Sequence, residues 1–405
     1  MRFLWPALGI ALVAVWLRTL LQAMPPPFDD LVALPIPTGR QALYPGKADG
    51  SKMPPAFSGV FRHNARLKEA TRLFQGQVLG SESVAVSPSG VLVMIDRRGF
   101  VFRAHLSASG YQLLGAPLYI GPGRPLGFHL QGEDELYVCD SLKGLLRVQL
   151  SSGAIEVLAN AVKASDGGEP QPINYANDLD IGRDGSVYFT SCTDGSVARN
   201  TLGFYDTMFS YMLSALRGAA DGRLLRWDPV TRKTIVLADG FSYANGVALS
   251  ADESWLAVVE TNFARVHRHW LRGPRSGETE VLLAGLPGFP DGISRSPDGG
   301  FWVGLVAPLS PLLGVLSPYP WARQLCSHVI RRVLPLVAKR WGAIVKLNAE
   351  GEPSHALYDL DGSRVSSISA VTEHEGRLFL GNLGGDYVSY IDLMADEKKV
   401  SHVRN

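Results

Sequence analysis

The stretch Tyr243-Ala244-Asn245-Gly246-Val247-Ala248-Leu249-Ser250 reads as a turn that opens into a buried strand. Small and aliphatic residues alternate after the turn, and the Asn stands where the strand begins. A side chain at such a mouth can point into a space shared with other strands. The phrase returns as Tyr175-Ala176-Asn177-Asp178-Leu179-Asp180-Ile181. Two Tyr-Ala-Asn turns, each followed by a strand, predict one structural unit used more than once.

Outward from these turns, the order strand, polar turn, strand recurs to make six copies. Ser83–Val86 passes through Ser87-Pro88-Ser89-Gly90 into Val91–Met94, and Gly127–Leu130 passes through Gly132-Glu133-Asp134 into Leu136–Val138. Asp178–Ile181 meets Arg183-Asp184-Gly185 and then Val187–Phe189, while Gly246–Leu249 meets Ser250–Glu253 and then Trp255–Val258. Gly292–Arg295 and Ala370–Thr372 start the last two copies, which continue into Phe301–Val303 and Leu378–Leu380. A strand-rich unit repeated in this way has one natural closed solution, an all-β, six-bladed β-propeller whose first strands line a central channel. Phe61–Gln75 is expected to add an outer strand to the last blade and close the ring. An all-β sandwich is the alternative, disfavoured by the regularity of the repeat.

Composition bounds the rest. The 405 residues are 46% hydrophobic and 19% charged, enough apolar content for a large core. A net charge of +1, with no basic stripe and interleaved aromatics in the repeats, argues against a nucleic-acid partner. Cys139, Cys192 and Cys326 are widely spaced and odd in number, which fits neither a disulfide framework nor a zinc site.

Phe3–Leu17 is almost wholly apolar, and counting through Met24 gives a segment able to span a bilayer if Arg18 reaches the interface. Arg2 precedes it and Asp29-Asp30 follow. The expectation is a transmembrane anchor over residues 1–24, single-pass, with the propeller on the exported side. A cleaved signal peptide and a helix lying on the membrane are the alternatives. Residues 25–57 are Pro-rich and aperiodic, an extended linker, and 58–405 form the propeller. Two intervals, about 200–220 and 307–342, interrupt the strand pattern. The second mixes apolar residues with clustered Arg and Lys, as in an amphipathic helix that Pro335 bends or splits. It is expected either to pack on the rim or to form a lid that also touches a membrane surface.

Four polar residues recur where inner strands begin: Glu82, Asn177, Asn245 and Asp291. In a propeller such positions converge on the axis. Two carboxylates and two amide oxygens suit a hard divalent cation, with water completing the shell, and Ca2+ fits best. Asn and Asp also favour turns for local reasons, but that rule does not explain all four in register. Asp178, beside Asn177, and Asp140 are the candidate carboxylates for holding a nucleophilic water. Asp178 would equally serve as a strand-start cap. His129, within a strand, and His374, in a turn, read as structural.

Several phrases in order carry a resemblance: Gly123-Arg124-Pro125-Leu126-Gly127, Tyr137-Val138-Cys139-Asp140, Asn177-Asp178-Leu179, Asp221-Gly222-Arg223-Leu224-Leu225, Asn245-Gly246-Val247, Pro287-Gly288-Phe289-Pro290-Asp291, and Glu373-His374-Glu375-Gly376. Through them the chain resembles the strictosidine synthase-like group within the SMP-30/gluconolactonase and paraoxonase class of six-bladed propellers. The likeness runs from about residue 60 to the C-terminus. It implies a metal at the channel mouth held by Glu82, Asn177, Asn245 and Asp291, and hydrolysis of esters, lactones or organophosphates by the metal-bearing members. Ca2+ would polarise the carbonyl while water or a carboxylate attacks.

There are three departures from the family pattern. Strictosidine synthase uses a Glu just before the Glu-His-acid-Gly phrase, where this chain has Ser369, which argues against a condensing synthase. Leu126 and Asp140 fall near the places of a His pair in the second blade of paraoxonases. Gly292 follows Asp291 where many relatives have Asn. The expectation is a membrane-anchored, Ca2+-dependent arylesterase- or lactonase-like hydrolase of small, lipophilic substrates. The alternative is a non-catalytic propeller whose metal is structural and whose surface binds a partner or lipid.

Overall fold

The computed structural model describes residues 18–36, 57–162, 168–309 and 311–393. Six antiparallel sheets of four or five strands follow one another along the chain, each a meander running from an inner to an outer strand. The inner strands are Val84–Val86, Pro125–Gln131, Ala176–Ile181, Ala244–Leu249, Gly288–Arg295 and Ile368–His374. The middle strands are packed between neighbouring blades on both faces. Trp255–Glu260 and Gly342–Leu347 are accordingly buried along their whole length, whereas the outer strand Thr279–Ala284 has no buried residue. Thr71–Leu73 pairs with Val388–Tyr390, so the expected outer strand does close the last blade and removes a free sheet edge. The result is the all-β six-bladed β-propeller.

A buried ion cluster ties the fourth blade together. Glu260 ends the second strand and accepts from Ser242 N at 2.7 Å and from Arg265 Nε, with His267 Nε2 at 2.7 Å. Burial alone would raise the Glu260 carboxyl, but the hydrogen bonds and charges of His267 and Arg265 outweigh it and hold it below the ordinary Glu range. A depressed carboxylate contributes stability above its unfolded pKa and loses that contribution as pH falls through the folded one. Glu260→Gln is therefore expected to destabilise by about 3 kcal/mol at neutral pH, because it leaves the buried Arg265 guanidinium without its anion. The difference from wild type should shrink below pH 4.5 in urea unfolding.

Both interruptions of the strand pattern are helical insertions. Each lies between the second and third strands of a blade: α1 (Thr207–Arg217) in the third blade, α2 (Pro311–Leu316) and α3 (Pro320–Val337) in the fifth. In an antiparallel meander that connection returns to the face where the inner strand starts, so both insertions cap the same face. Asp206 caps α1 by accepting from Phe209 N, and Gly218 ends it in the left-handed region. Arg323 of α3, buried, donates to the carbonyls of Leu216 at 2.6 Å and Arg217 at 2.9 Å. α3 runs through to Val337, so Pro335 sits in its last turn rather than dividing it. Trp321 and Val329 of α3 remain exposed.

The N-terminal expectations need correction. No helix among the described residues is long and apolar enough to cross a membrane, so the single-pass anchor and the exported placement drawn from it are not supported. Residues 1–17 lie outside the described residues. The helical turn at 18–22 docks on the second insertion: His328 Nε2 lies 2.9 Å from Leu20 O and 3.1 Å from Ala23 O. The first part of the expected linker is packed as well. Met24, Phe28 and Ile36 share a core with Met212 and Leu213 of α1 and Ile330 of α3. Residues 37–56 lie outside the described residues.

Candidate metal centre and cleft

Five of the six inner strands share one local device at their starts. Register shifts fall between Pro125 and Phe128, Ala176 and Leu179, Ala244 and Val247, Pro290 and Ile293, and Ile368 and Val371. A β-bulge leaves residues unpaired and re-aims a side chain. The residues brought into register are Leu126, Asn177, Asn245, Asp291 and Ser369. Glu82 holds the matching place in the first blade, two residues before Val84, as Leu126 stands two before Phe128.

The backbone two residues ahead of this ring turns left-handed, with φ of 58° at Tyr175, 68° at Tyr243, 52° at Ser367 and 60° at Gly80. For a bulky Tyr that conformation is strained and persists only where the surroundings hold it. Tyr175 Oη donates to Thr207 O at 2.9 Å, and the Tyr175 and Tyr243 rings meet edge-to-face at 5.6 Å. The Tyr-Ala-Asn phrase thus encodes a left-handed Tyr, whose ring lines the site, followed by a bulged strand that turns the Asn toward the axis.

Glu82, Asn177, Asn245 and Asp291 come together on one cleft of about 350 Å3, counted out to its open mouth. All four are buried, with exposures of 3–6%. Leu126, Tyr175, Tyr243 and Val306 form walls, and Met208 and Tyr211 of α1 reach in from the cap. Asn245 Nδ2 donates to Thr261 Oγ1 at 3.1 Å and to Asp291 Oδ1. Asn245 Oδ1 and Glu82 Oε2 are left buried without a hydrogen-bond partner. Orphaned buried acceptors are costly unless something supplies positive charge.

The ionisable groups carry the same signature. Burial pushes the Glu82 carboxyl up to about 7, against the pull of Arg124. Burial, and then the nearby Glu82, pushes Asp291 well above the carboxylate range. Among the described residues no three His, Cys, Asp or Glu side chains form a metal cage, so any cation here would rely on the two amides as well. An all-oxygen donor set with orphaned acceptors and under-compensated acids fits a hard cation such as Ca2+. Gly292 adds no ligand, since a Cβ there would meet Ser369 O at 2.7 Å. Ser369 Oγ donates to Glu82 O at 2.6 Å and so fixes the backbone of that ligand.

The two carboxylates expected to hold a water do not line the cleft. Asp178 accepts from Leu179 N at 3.0 Å and from Val247 N of the next blade at 3.3 Å. Its Oδ1 would lie 2.2 Å from a Cβ on Gly127, so it is wedged between the second, third and fourth blades, and burial pushes it up to about 8. Asp140 accepts from Leu142 N at 2.9 Å and Lys143 N at 3.0 Å, the bonds of a turn cap. His129 Nδ1 lies 3.7 Å from Asp180 Oδ1, and Arg295 reaches the same oxygen at 2.7 Å from the fifth blade. His374 Nε2 is 4.0 Å from Glu375 in its turn. The sequence reading missed the contributions of Met208, Tyr211 and Arg124. The doubled Tyr of the Tyr-Ala-Asn phrase was the available signal for the aromatic wall.

A closed ring of six antiparallel blades makes the chain a six-bladed β-propeller. A solved gluconolactonase from Xanthomonas campestris matches with a TM-score of 0.54 at 18% identity, covering 81% of this chain and 91% of that one, a likeness of fold alone. The strictosidine synthase family model matches residues 177–274. Adipocyte plasma membrane-associated protein of Salmo salar is 31% identical over 361 residues, 84% of this chain and 82% of that protein. Strictosidine synthase-like 13 of Arabidopsis thaliana is 38% identical over 248 residues, 59% of this chain and 57% of that protein. The chain belongs to the strictosidine synthase-like family.

Proposed function

We propose that the protein is a metal-dependent hydrolase of small lipophilic esters or lactones, with Glu82, Asn177, Asn245 and Asp291 as the ligands of one Ca2+. The observation that carries this reading is the convergence of these four side chains from four blades on one apolar-walled cleft, with Glu82 Oε2 and Asn245 Oδ1 accepting no hydrogen bond. A gluconolactonase of the same fold is in keeping with lactone chemistry. Bound there, Ca2+ would supply Lewis-acid polarisation of a substrate carbonyl and stabilisation of the developing oxyanion.

The chain's own residues do the rest. Leu126, Tyr175, Tyr243 and Val306 hold the apolar body of the substrate and exclude water. Met208 and Tyr211 close over it from α1. Ser369 keeps Glu82 in place through its backbone carbonyl. Since Asp178 and Asp140 do not reach the cleft, Glu82 and Asp291 are its two carboxylates able to orient or deprotonate a water. A condensing synthase is disfavoured because Ser369 stands at the position of its base and is itself engaged.

That shortage of a separate base favours a second reading, a binding module whose cation is structural. Phenyl acetate hydrolysis by the full chain separates the two. The hydrolase reading expects turnover that EDTA removes and Ca2+ restores. No turnover by folded, Ca2+-loaded protein on phenyl acetate or a panel of aliphatic and aryl lactones would favour the binding module. Turnover indifferent to EDTA would remove the cation from the mechanism.

A further inference from the structure

Arg124 is among the largest fully buried side chains, 1% exposed, and stands directly before the inner strand of the second blade. Its Nη1 donates to Pro125 O at 3.2 Å and Gly80 O at 3.5 Å, and its Nε has no partner. Its Nη2 lies 3.7 Å from Glu82 Oε2, the orphaned ligand oxygen. That spacing is an ion pair without a hydrogen bond. Arg124 does not line the cleft, so it is not placed to touch a substrate. A guanidinium cannot shed its charge, and a buried one requires a nearby anion.

We infer that Arg124 is the built-in counter-ion of the ring. In the cation-free protein it compensates Glu82. Once a divalent cation sits among the four ligands, the same fixed charge opposes it. Arg124 therefore stabilises the empty site and holds the cation's affinity down. Two like charges a few ångströms apart inside a protein repel strongly at any realistic effective dielectric, so the opposition is large enough to measure. The inference rests on the cation-site reading for its second half only, since the pairing with Glu82 exists without a metal.

The test uses the full chain and two readouts. Ca2+ titrated calorimetrically into EDTA-stripped Arg124→Met should bind at least about tenfold tighter than into wild type, because removing one opposing unit charge is worth at least that factor. Arg124→Lys, which keeps the charge, should stay within a few-fold of wild type. Packing damage would weaken binding, so tighter binding is not a general consequence of mutation. Arg124→Met binding Ca2+ as weakly as wild type, or more weakly, overturns the opposing role.

The second readout is urea unfolding in EDTA of Glu82→Gln, Arg124→Met and the double variant. The pairing predicts that the double variant loses much less stability than the sum of the singles. Additive losses overturn the counter-ion role. If wild type binds no Ca2+, the cation reading fails, and this EDTA cycle still decides the pairing. Should Arg124→Met not fold, the same cycle run with Arg124→Gln and the titration of Arg124→Lys decide it.

Discussion

Asp291→Ala is expected to abolish both Ca2+ binding and ester turnover while leaving the propeller folded. Asp291 is one of two carboxylates on the cleft and the acceptor of Asn245 Nδ2, so its loss removes a ligand and releases a second one. Loss of an outer partner alone typically lowers metal affinity about 10–100-fold, so loss of a ligand together with its partner should exceed about 100-fold. Activity should fall by a similar factor and should not return at millimolar Ca2+. In EDTA the variant should be at least as stable as wild type, because it deletes a buried acid that burial and Glu82 push well above its usual range. Ca2+ titration, turnover and thermal melting on one preparation check all three. A variant that still binds Ca2+ normally would remove Asp291 from the site.

Gly381→Ala is expected to be strongly destabilising, its methyl meeting the shortest backbone contact among the described glycines, and to loosen the site as it does so. Gly381 lies in the second strand of the sixth blade, Arg377–Asn382. A Cβ there would stand 1.8 Å from Glu82 O, the carbonyl that also accepts from Ser369 Oγ. The atom in the way is backbone, so no rotamer change relieves the clash. The seam between the first and last blades must open instead. Overpacking of this kind costs about 3 kcal/mol or more. Because the seam carries Glu82, the weaker fold should come with weaker Ca2+ binding. Gly384→Ala, three residues on, meets nothing within 4 Å and should shift stability by less than about 0.5 kcal/mol. Equal effects of the two substitutions in urea unfolding would show that the sixth blade does not press on Glu82.

Much of the architecture was legible because a propeller writes its period into the sequence. Runs such as Gly246–Leu249 and Trp255–Val258, separated by polar turns, are buried strands wherever they recur, and their number gives the blade count. The four ring residues were legible for the same reason: one position, repeated in register. The bulges were not, since a bulge is a displacement of pairing that alternation of residue type does not record. Asp178 shows the consequence. It follows a ring residue and reads as a neighbour of the site, yet the bulge between Ala176 and Leu179 wedges its carboxylate against the second and fourth blades instead. Phe28 and Ile36 stand in a Pro-rich run without periodicity, so their burial against α1 and α3 depends on tertiary partners invisible locally. Arg124 is legible only in retrospect, because a single Arg before a strand reads as surface until Glu82 is placed beside it.

The central claim is that the ring of Glu82, Asn177, Asn245 and Asp291 holds one divalent cation. Calorimetric titration of Ca2+ into the EDTA-stripped full chain tests it most directly. The account predicts saturable binding of one Ca2+ per chain, lost in Asp291→Ala and accompanied by a rise in melting temperature. A folded wild-type chain that takes up no Ca2+ and melts at the same temperature with and without it would contradict the account.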